Sequence, residues 1–308
     1  MEKYELGIAF SGGGAKGAAH CGALQALDEF GIKADAVAGT SAGSIAATLY
    51  AAGVRPVDMA NMFATMDFRD LLGTQKPKGG MFDSKPLVAH LAKIVPFKNL
   101  EELPIPTTVV ATSIEQGCAR LFTEGEIAPR VAASCSIPII FEPLKIGSEH
   151  YVDGGALMNL PVSALRGSCR KVIALNLHHA ETVPYKARLS AIAMRSFNLM
   201  FLSNAMSEAK RADLLINIDT SAFSAYDLSK VETLFHIGYD TTVATLEKEG
   251  YTRVRPADKL EFAHKAPKKA KMDDFKVRAA ELRKKSEELE LSAKELLARH
   301  NPRKKRLQ

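Results

Sequence analysis

One serine stands in a setting that suits a nucleophile. Ser41 lies at the centre of Gly39-Thr40-Ser41-Ala42-Gly43, between a short apolar run and an Ala-rich segment. A G-x-S-x-G pattern at a strand-to-helix turn is typical of a nucleophile elbow, which holds the serine in a strained backbone conformation. Gly39 and Gly43 suit that turn because side chains on either side of the serine would crowd each other. Any Gly- and Ser-rich turn can also produce the pattern. Whether Ser41 is a nucleophile therefore depends on whether the rest of the chain supplies the other groups that a serine nucleophile needs.

A glycine loop lies upstream, where the apolar segment Tyr4–Phe10 ends. The loop Gly12-Gly13-Gly14-Ala15-Lys16-Gly17 formally matches the dinucleotide pattern G-x-G-x-x-G. That use requires an acidic residue at the end of the second strand, whereas Asp35 begins the strand that runs into Ser41. A phosphate loop is excluded because no Gly-Lys-Ser/Thr follows. Two interpretations stay open: a tight turn, or a loop whose free N–H groups stabilise a developing oxyanion.

A serine hydroxyl also needs a base, and the sequence offers two kinds of candidate. The eight histidines lie outside Gly-rich turns, and we expect surface or helix-capping side chains: His20, His90, His150, His178, His179, His236, His264 and His300. Asp153 follows an apolar strand and precedes Gly154-Gly155, where a carboxylate can stand free at the edge of a sheet. Asp and Gly are also the usual residues of ordinary turns, so both interpretations of Asp153 stay open.

The elements around these motifs predict an α/β fold. Strand, glycine loop, helix, strand, Ser41 turn and helix follow in order from Tyr4 to Ala52, which favours a parallel sheet covered by helices. Parallel strands that end in adjacent turns bring the glycine loop and Ser41 to one edge of the sheet, where such sheets bind ligands. Further strands are predicted over 106–114, 118–123, 151–152, 171–177 and 214–218, and helices over 57–66, 86–94, 127–134, 187–212 and 230–249. The apolar stripes of the helix over 187–212 are expected in the core, and residues 67–104 are interpreted as an excursion over the site.

Charge divides the chain into a body and a tail. The 308 residues carry a net charge of +6, and residues 264–308 hold 15 Lys and Arg against 7 Asp and Glu, which leaves +8 on the tail and −2 on residues 1–263. A near-neutral body does not indicate a nucleic-acid-binding protein, whereas the basic tail favours contact with an anionic membrane. Apolar residues at heptad spacing from Phe275 to Leu296 predict a charged helical tail, and a solvated helix, a partly disordered tail and a coiled coil all stay open.

The remaining signals concern location and cofactors. No basic segment followed by an apolar run opens the chain, and no window of about 18 apolar residues predicts a spanning helix. Four scattered cysteines are interpreted as reduced thiols of a cytoplasmic protein: Cys21, Cys118, Cys135 and Cys169. Peripheral contact at the inner membrane face would come from the tail. No metal or other cofactor is expected, because serine chemistry needs none and no acidic cluster suggests calcium.

Taken together and in this order, the glycine loop, the Ser41 turn and Asp153-Gly154-Gly155 resemble the patatin-like phospholipase family. The resemblance runs from about Leu6 to Asn159, and Met81-Phe82-Asp83-Ser84 is similar to a segment often seen in bacterial members. It implies a three-layer α/β/α fold with a mostly parallel central sheet, and lipid acyl hydrolysis by a Ser-Asp dyad without histidine.

The resemblance also implies a role for each matching residue. Ser41 would be the nucleophile and Asp153 its base, while backbone N–H groups of Gly12, Gly13 and Gly14 would form the oxyanion hole. The N–H of Ala42 would contribute as well, because it follows the nucleophile as in other elbows. A carboxylate with an ordinary pKa near ~3.9 is a poor base for an alcohol, so the dyad requires a dry pocket that raises this pKa.

The expected substrate is a phospholipid, a lysophospholipid or another fatty-acyl ester, cleaved through an acyl-enzyme on Ser41. Two alternatives remain at this point. The same dyad would also serve a thioesterase, a carboxylesterase or an acyltransferase. From another class, the chain could be a non-catalytic lipid-binding or regulatory protein, although the intact Ser41 and Asp153 argue against it.

Overall fold

Eight strands of the described chain join in one sheet. The structure is a computed structural model, and it describes residues 3–65, 79–256 and 262. The strands are β1 Tyr4–Phe10, β2 Ala36–Thr40, β3 Thr107–Ser113, β4 Cys118–Phe122, β5 Leu144–Ile146, β6 Glu149–Asp153, β7 Cys169–Asn176 and β8 Leu214–Asn217. The main path of the sheet runs β5-β6-β3-β2-β1-β7-β8, and β4 also pairs with β3. Strands β3, β2, β1, β7 and β8 are parallel neighbours, whereas β4, β5 and β6 pair antiparallel.

Strands β2 and β6 lie on the same side of β3, one after the other. β2 pairs with the first part of β3, up to Thr40 opposite Val110. β6 pairs with the second part, from Asp153 opposite Ala111, while β4 occupies the other side of β3. The two strands run in opposite directions, so the carboxyl end of β2 meets the carboxyl end of β6.

Nine α-helices are present in the described ranges. They are α1 Ala18–Glu29, α2 Ala42–Ala51, α3 Pro56–Thr65, α4 Lys85–Ile94, α5 Ile127–Ser134, α6 Gly155–Met158, α7 Ser163–Arg166, α8 Leu189–Ala209 and α9 Val231–Lys248. None of these helices combines the length and hydropathy needed to cross a bilayer.

Alternating side chains of the central strands bury both faces of the sheet. On one face, Ile8 and Phe10 of β1 belong to a large core cluster that includes residues of α1, α2, α5 and α9. On the other face, Ala9 belongs to a smaller cluster with Leu165 of α7 and Ala205 of α8. The two clusters make three layers, so the predicted α/β/α fold with a mostly parallel sheet is confirmed.

All described residues belong to one compact unit, Met1–Ala263. Two sequence-based expectations fall outside the described residues. The first is residues 67–78, which open the predicted excursion over the site, and the second is the basic tail of residues 264–308. The division of the chain at residue 264 therefore stays a prediction.

The expected burial of α8 is wrong for most of the helix. Among its residues only Phe201 and Ala205 are buried, whereas Leu189 and Met206 are 67% and 57% exposed. The periodicity predicted a helix correctly, but α8 is apolar on several faces, and the sheet can cover only one of them.

Candidate active site

The Ser41 turn has the strained geometry of an elbow. Ser41 joins β2 to α2 with φ 53° and ψ −128°, a left-handed region that residues other than Gly rarely adopt. A side chain on Gly39 would place its Cβ 2.3 Å from the Gly43 carbonyl oxygen. On Gly43 it would lie 2.3 Å from the carbonyl oxygen of Phe10. Both glycines are therefore required by close packing of the turn.

Hydrogen bonds hold this turn against the sheet. The Ser41 N–H donates to Ser134 Oγ at 2.8 Å, and the Ser134 hydroxyl donates to the Val110 carbonyl at 2.6 Å. Ser44 Oγ donates to the Ser41 carbonyl at 2.6 Å. Since these bonds occupy the backbone of Ser41, its side chain is the part left for chemistry. The Ala42 N–H donates to no acceptor in the described ranges.

Asp153 ends β6 and lies near the Ser41 turn. Its Oδ1 accepts the Gly155 N–H at 2.7 Å, while Oδ2 is buried and has no hydrogen-bond partner among the described residues. Burial raises the pKa of Asp153 from its ordinary 3.8 to about 7, and the Ser41 hydroxyl and the Gly155 N–H offset part of the rise. Ser41 and Asp153 line one pocket, and no hydrogen bond joins the hydroxyl to Oδ2. A Cβ on Gly154 would lie 2.2 Å from the Val110 carbonyl oxygen, so this turn also needs glycine.

The glycine loop lies against the serine turn. A Cβ on Gly12 would approach Ser41 Cβ to 3.1 Å and Asn159 Oδ1 to 2.4 Å, and one on Gly17 would approach Ala42 Cβ to 2.8 Å. The Gly12 N–H donates to the Asn159 carbonyl at 3.0 Å, so it is already engaged.

The next two residues of the loop have free donors. The N–H groups of Gly13 and Gly14 donate to no acceptor in the described part of the chain. Both residues line the same pocket as Ser41 and Asp153, which has a volume of about 380 Å³. The loop therefore brings unengaged N–H groups to the pocket that contains the predicted nucleophile and base.

Two residues of this site were missed by sequence reasoning. Asn159 is buried, its N–H donates to Asn204 Oδ1 at 2.6 Å, and its Nδ2 lies 3.0 Å from His178 Nδ1. The Asn-x-Pro step that follows the Asp-Gly-Gly turn was the one available signal for Asn159. Ser134, which accepts the Ser41 N–H, ends an ordinary helix, and nothing in its sequence setting marks it.

The expectation of surface or capping histidines is wrong for His20 and His178. His20 is fully buried in α1 with Nε2 2.8 Å from the Ser11 carbonyl oxygen, where its ring supports the start of the glycine loop. His178 lines the pocket and contacts Asn159. Burial lowers the pKa of each to about 4, so both rings are neutral at physiological pH. No described group of three or more His, Cys, Asp or Glu side chains could hold a metal ion.

Together, the fold and the site define a three-layer α/β protein with a serine elbow facing a buried carboxylate. The family model described as patatin-like phospholipase matches residues 8–166, just over half of the chain. The chain belongs to the patatin-like phospholipase family.

Two relatives and one solved structure illustrate this similarity. An uncharacterized NTE family protein of Mycobacterium tuberculosis is 29% identical over 204 residues, which cover 65% of this chain and 56% of that protein. Human patatin-like phospholipase domain-containing protein 6 is 30% identical over 181 residues, which cover 56% of this chain and 13% of that protein. The match thus spans about half of the mycobacterial relative and a small part of the human one. VipD from Legionella pneumophila shares the fold, with a TM-score of 0.52 at 18% identity over 80% of this chain and 67% of that chain.

Proposed function

We propose that the protein is a serine lipid acyl hydrolase of the phospholipase A or lysophospholipase type, which cleaves fatty-acyl esters through Ser41 and Asp153. One observation carries this proposal. Asp153 is buried beside the strained Ser41 turn, with one carboxylate oxygen unpartnered among the described residues and a pKa raised to about 7. A carboxylate with such a pKa can accept a proton from a serine near neutral pH, which an ordinary aspartate does poorly.

In the proposed first step, Asp153 Oδ2 accepts the proton of the Ser41 hydroxyl while Oγ attacks the ester carbonyl carbon. The carbonyl oxygen becomes an oxyanion, and the N–H groups of Gly13, Gly14 and Ala42 are the donors available to it. The intermediate collapses when the alcohol leaves with the proton from Asp153, and the acyl group remains on Ser41.

The second step repeats this chemistry with water. Asp153 takes a proton from a water molecule, whose oxygen attacks the acyl carbon. The intermediate then releases the fatty acid as Ser41 Oγ leaves with the proton from Asp153. The engaged N–H of Gly12 gives that residue a positioning role, because its bond to Asn159 fixes the loop that presents the donors. The helix that begins at Ala42 also favours negative charge at its N-terminus.

Two features of the pocket support a lipid substrate. Met194, Phe201 and Leu202 of α8 line it with apolar surface, which suits an acyl chain. Lys16 lines the same pocket, so a basic side chain is available for a substrate that carries an anionic group. A phospholipid or lysophospholipid combines both properties.

The test is covalent labelling by a fluorophosphonate, followed by hydrolysis of a panel of phospholipids, lysophospholipids, acyl thioesters and short esters. Wild-type protein and Ser207→Ala, which changes an exposed serine on α8, should both be labelled. Ser41→Ala should lose labelling and all hydrolysis while remaining folded. Labelling that persists in Ser41→Ala would contradict the proposal, and a preference for thioesters would redirect it to the alternative substrate class.

A further inference from the structure

The outward face of α8 is largely apolar. Its large exposed side chains include Leu189, Ile192, Leu199 and Met206, which follow one another at spacings of three and seven residues and therefore share one side of the helix. The other exposed positions of α8 hold Met, Ser or Asn, and none holds a charged residue. An exposed apolar stripe of this length is unusual on a water-facing helix, and it indicates a surface that contacts something apolar.

The opposite side of α8 belongs to the pocket and its supports. Phe201 is buried and lines the pocket, and Asn204 donates to the Gly155 carbonyl at 2.7 Å beside Asp153. Arg195, three residues after Ile192 and four before Leu199, borders the stripe; it also lines the pocket, and its guanidinium lies 3.7 Å from the Glu181 carboxylate. A single helix thus connects the exposed apolar stripe to the candidate active site.

The segment that leads into α8 adds an aromatic ring and positive charge. Residues 180–188 are all exposed, and Tyr185 is 81% exposed. Lys186 and Arg188 follow it, and neither forms an ion pair within the described ranges. Exposed aromatic rings and cations next to an apolar face match the boundary of an anionic bilayer, where rings lie at the headgroups and cations meet phosphates.

We propose that the outward face of α8 and residues 183–188 form a docking surface for an anionic lipid bilayer. The proposal rests on the proposed function, because a lipid hydrolase must bring its pocket to the bilayer that holds its substrate. Charge complementarity favours this occupant over a protein partner: Arg195, which borders the apolar stripe, is already paired with Glu181, and the adjoining cations match lipid phosphates. With α8 lying on the surface, acyl chains have a short path along the helix into the pocket.

The experiment measures binding of full-length Ser41→Ala protein to sedimented vesicles, so that no lipid is consumed. Vesicles contain phosphatidylcholine alone or with one third phosphatidylglycerol. Adding Leu189→Ser and Ile192→Ser should weaken binding to the anionic vesicles about tenfold, because apolar surface no longer enters the bilayer. Adding Lys186→Gln and Arg188→Gln should weaken it by a similar factor at low salt and much less at high salt.

A matched control removes two exposed apolar side chains elsewhere. Ile114→Ser with Leu121→Ser, directly after β3 and in β4, should leave vesicle binding unchanged. Thermal melts establish that each variant is folded. Equal vesicle binding by the α8 variant and the control overturns the proposal, and so does a dimer in sedimentation velocity that the α8 variant dissociates. Failure of the proposed function would appear separately, as wild-type protein that binds vesicles without Ser41-dependent hydrolysis.

Discussion

Replacing Asp153 with Asn should abolish activity and stabilise the protein at neutral pH. Burial holds the carboxylate at a pKa of about 7, against an ordinary value of 3.8. Because the folded protein binds this proton more tightly than the unfolded chain, Asp153 destabilises the fold as the pH rises from about 4 to about 7. At about 1.4 kcal/mol for each pH unit, the full effect is about 4 kcal/mol.

Urea unfolding of wild type and Asp153→Asn over pH 4 to 8 measures this effect. Asn does not titrate, so the difference in unfolding free energy between the two proteins isolates the carboxylate from every other group. That difference should favour the variant increasingly as the pH rises, by about 4 kcal/mol in total, and become constant above about pH 7. The difference in unfolding free energy at pH 4 serves as the reference, because it contains any change in packing between the Asp and Asn side chains.

A difference that stays the same from pH 4 to pH 8 would refute the reasoning. It would mean that Asp153 is solvated and keeps an ordinary pKa, so the physical basis for its role as base would be lost. Loss of activity alone would not rescue the argument, because a structural aspartate can also be essential.

Three further predictions concern activity and the tail. With Asp153 as base, kcat/KM for a soluble ester should rise with pH to a midpoint near 7, so the value at pH 5 should lie about a hundredfold below the plateau. Gly12→Ala should reduce turnover at least about a hundredfold, because the new Cβ would lie 2.4 Å from Asn159 Oδ1. Gly167→Ala, which meets nothing within 4 Å, should be neutral in the same assay. Deleting residues 264–308 should weaken binding to anionic vesicles and leave soluble-ester turnover intact; unchanged binding would assign the tail another role.

The parallel half of the fold could be predicted because its signals are local. Each strand from Tyr4 to Thr40 is a short apolar run. Glycines predict the turn that follows each strand, and apolar periodicity predicts the helix after it. The short elements β5, α6 and α7 had no such signal, since three or four residues carry no period. Their conformation depends on tertiary contacts that a sequence does not display.

The site residues that could be predicted are likewise those with a local sequence signal. Ser41, Asp153 and the glycines lie in turns whose composition reflects their geometry. Ser134 meets Ser41 across 93 residues of sequence, and a serine at the end of a helix looks the same whether or not it accepts that bond. Helical periodicity likewise predicted α8 but could not tell which of its apolar faces the protein covers.

Strands β2 and β6 meet end to end along β3, so activity depends on the register in which these strands pair with β3. Asp153 stands opposite Ala111 and Thr40 opposite Val110, so one shared strand sets the relative positions of base and nucleophile. A slip of β6 by a single residue would turn Asp153 to the other face of the sheet. Partly folded chains with β6 unpaired or misaligned would carry an intact elbow and no base. Recovery of esterase activity during refolding should therefore coincide with pairing of β6.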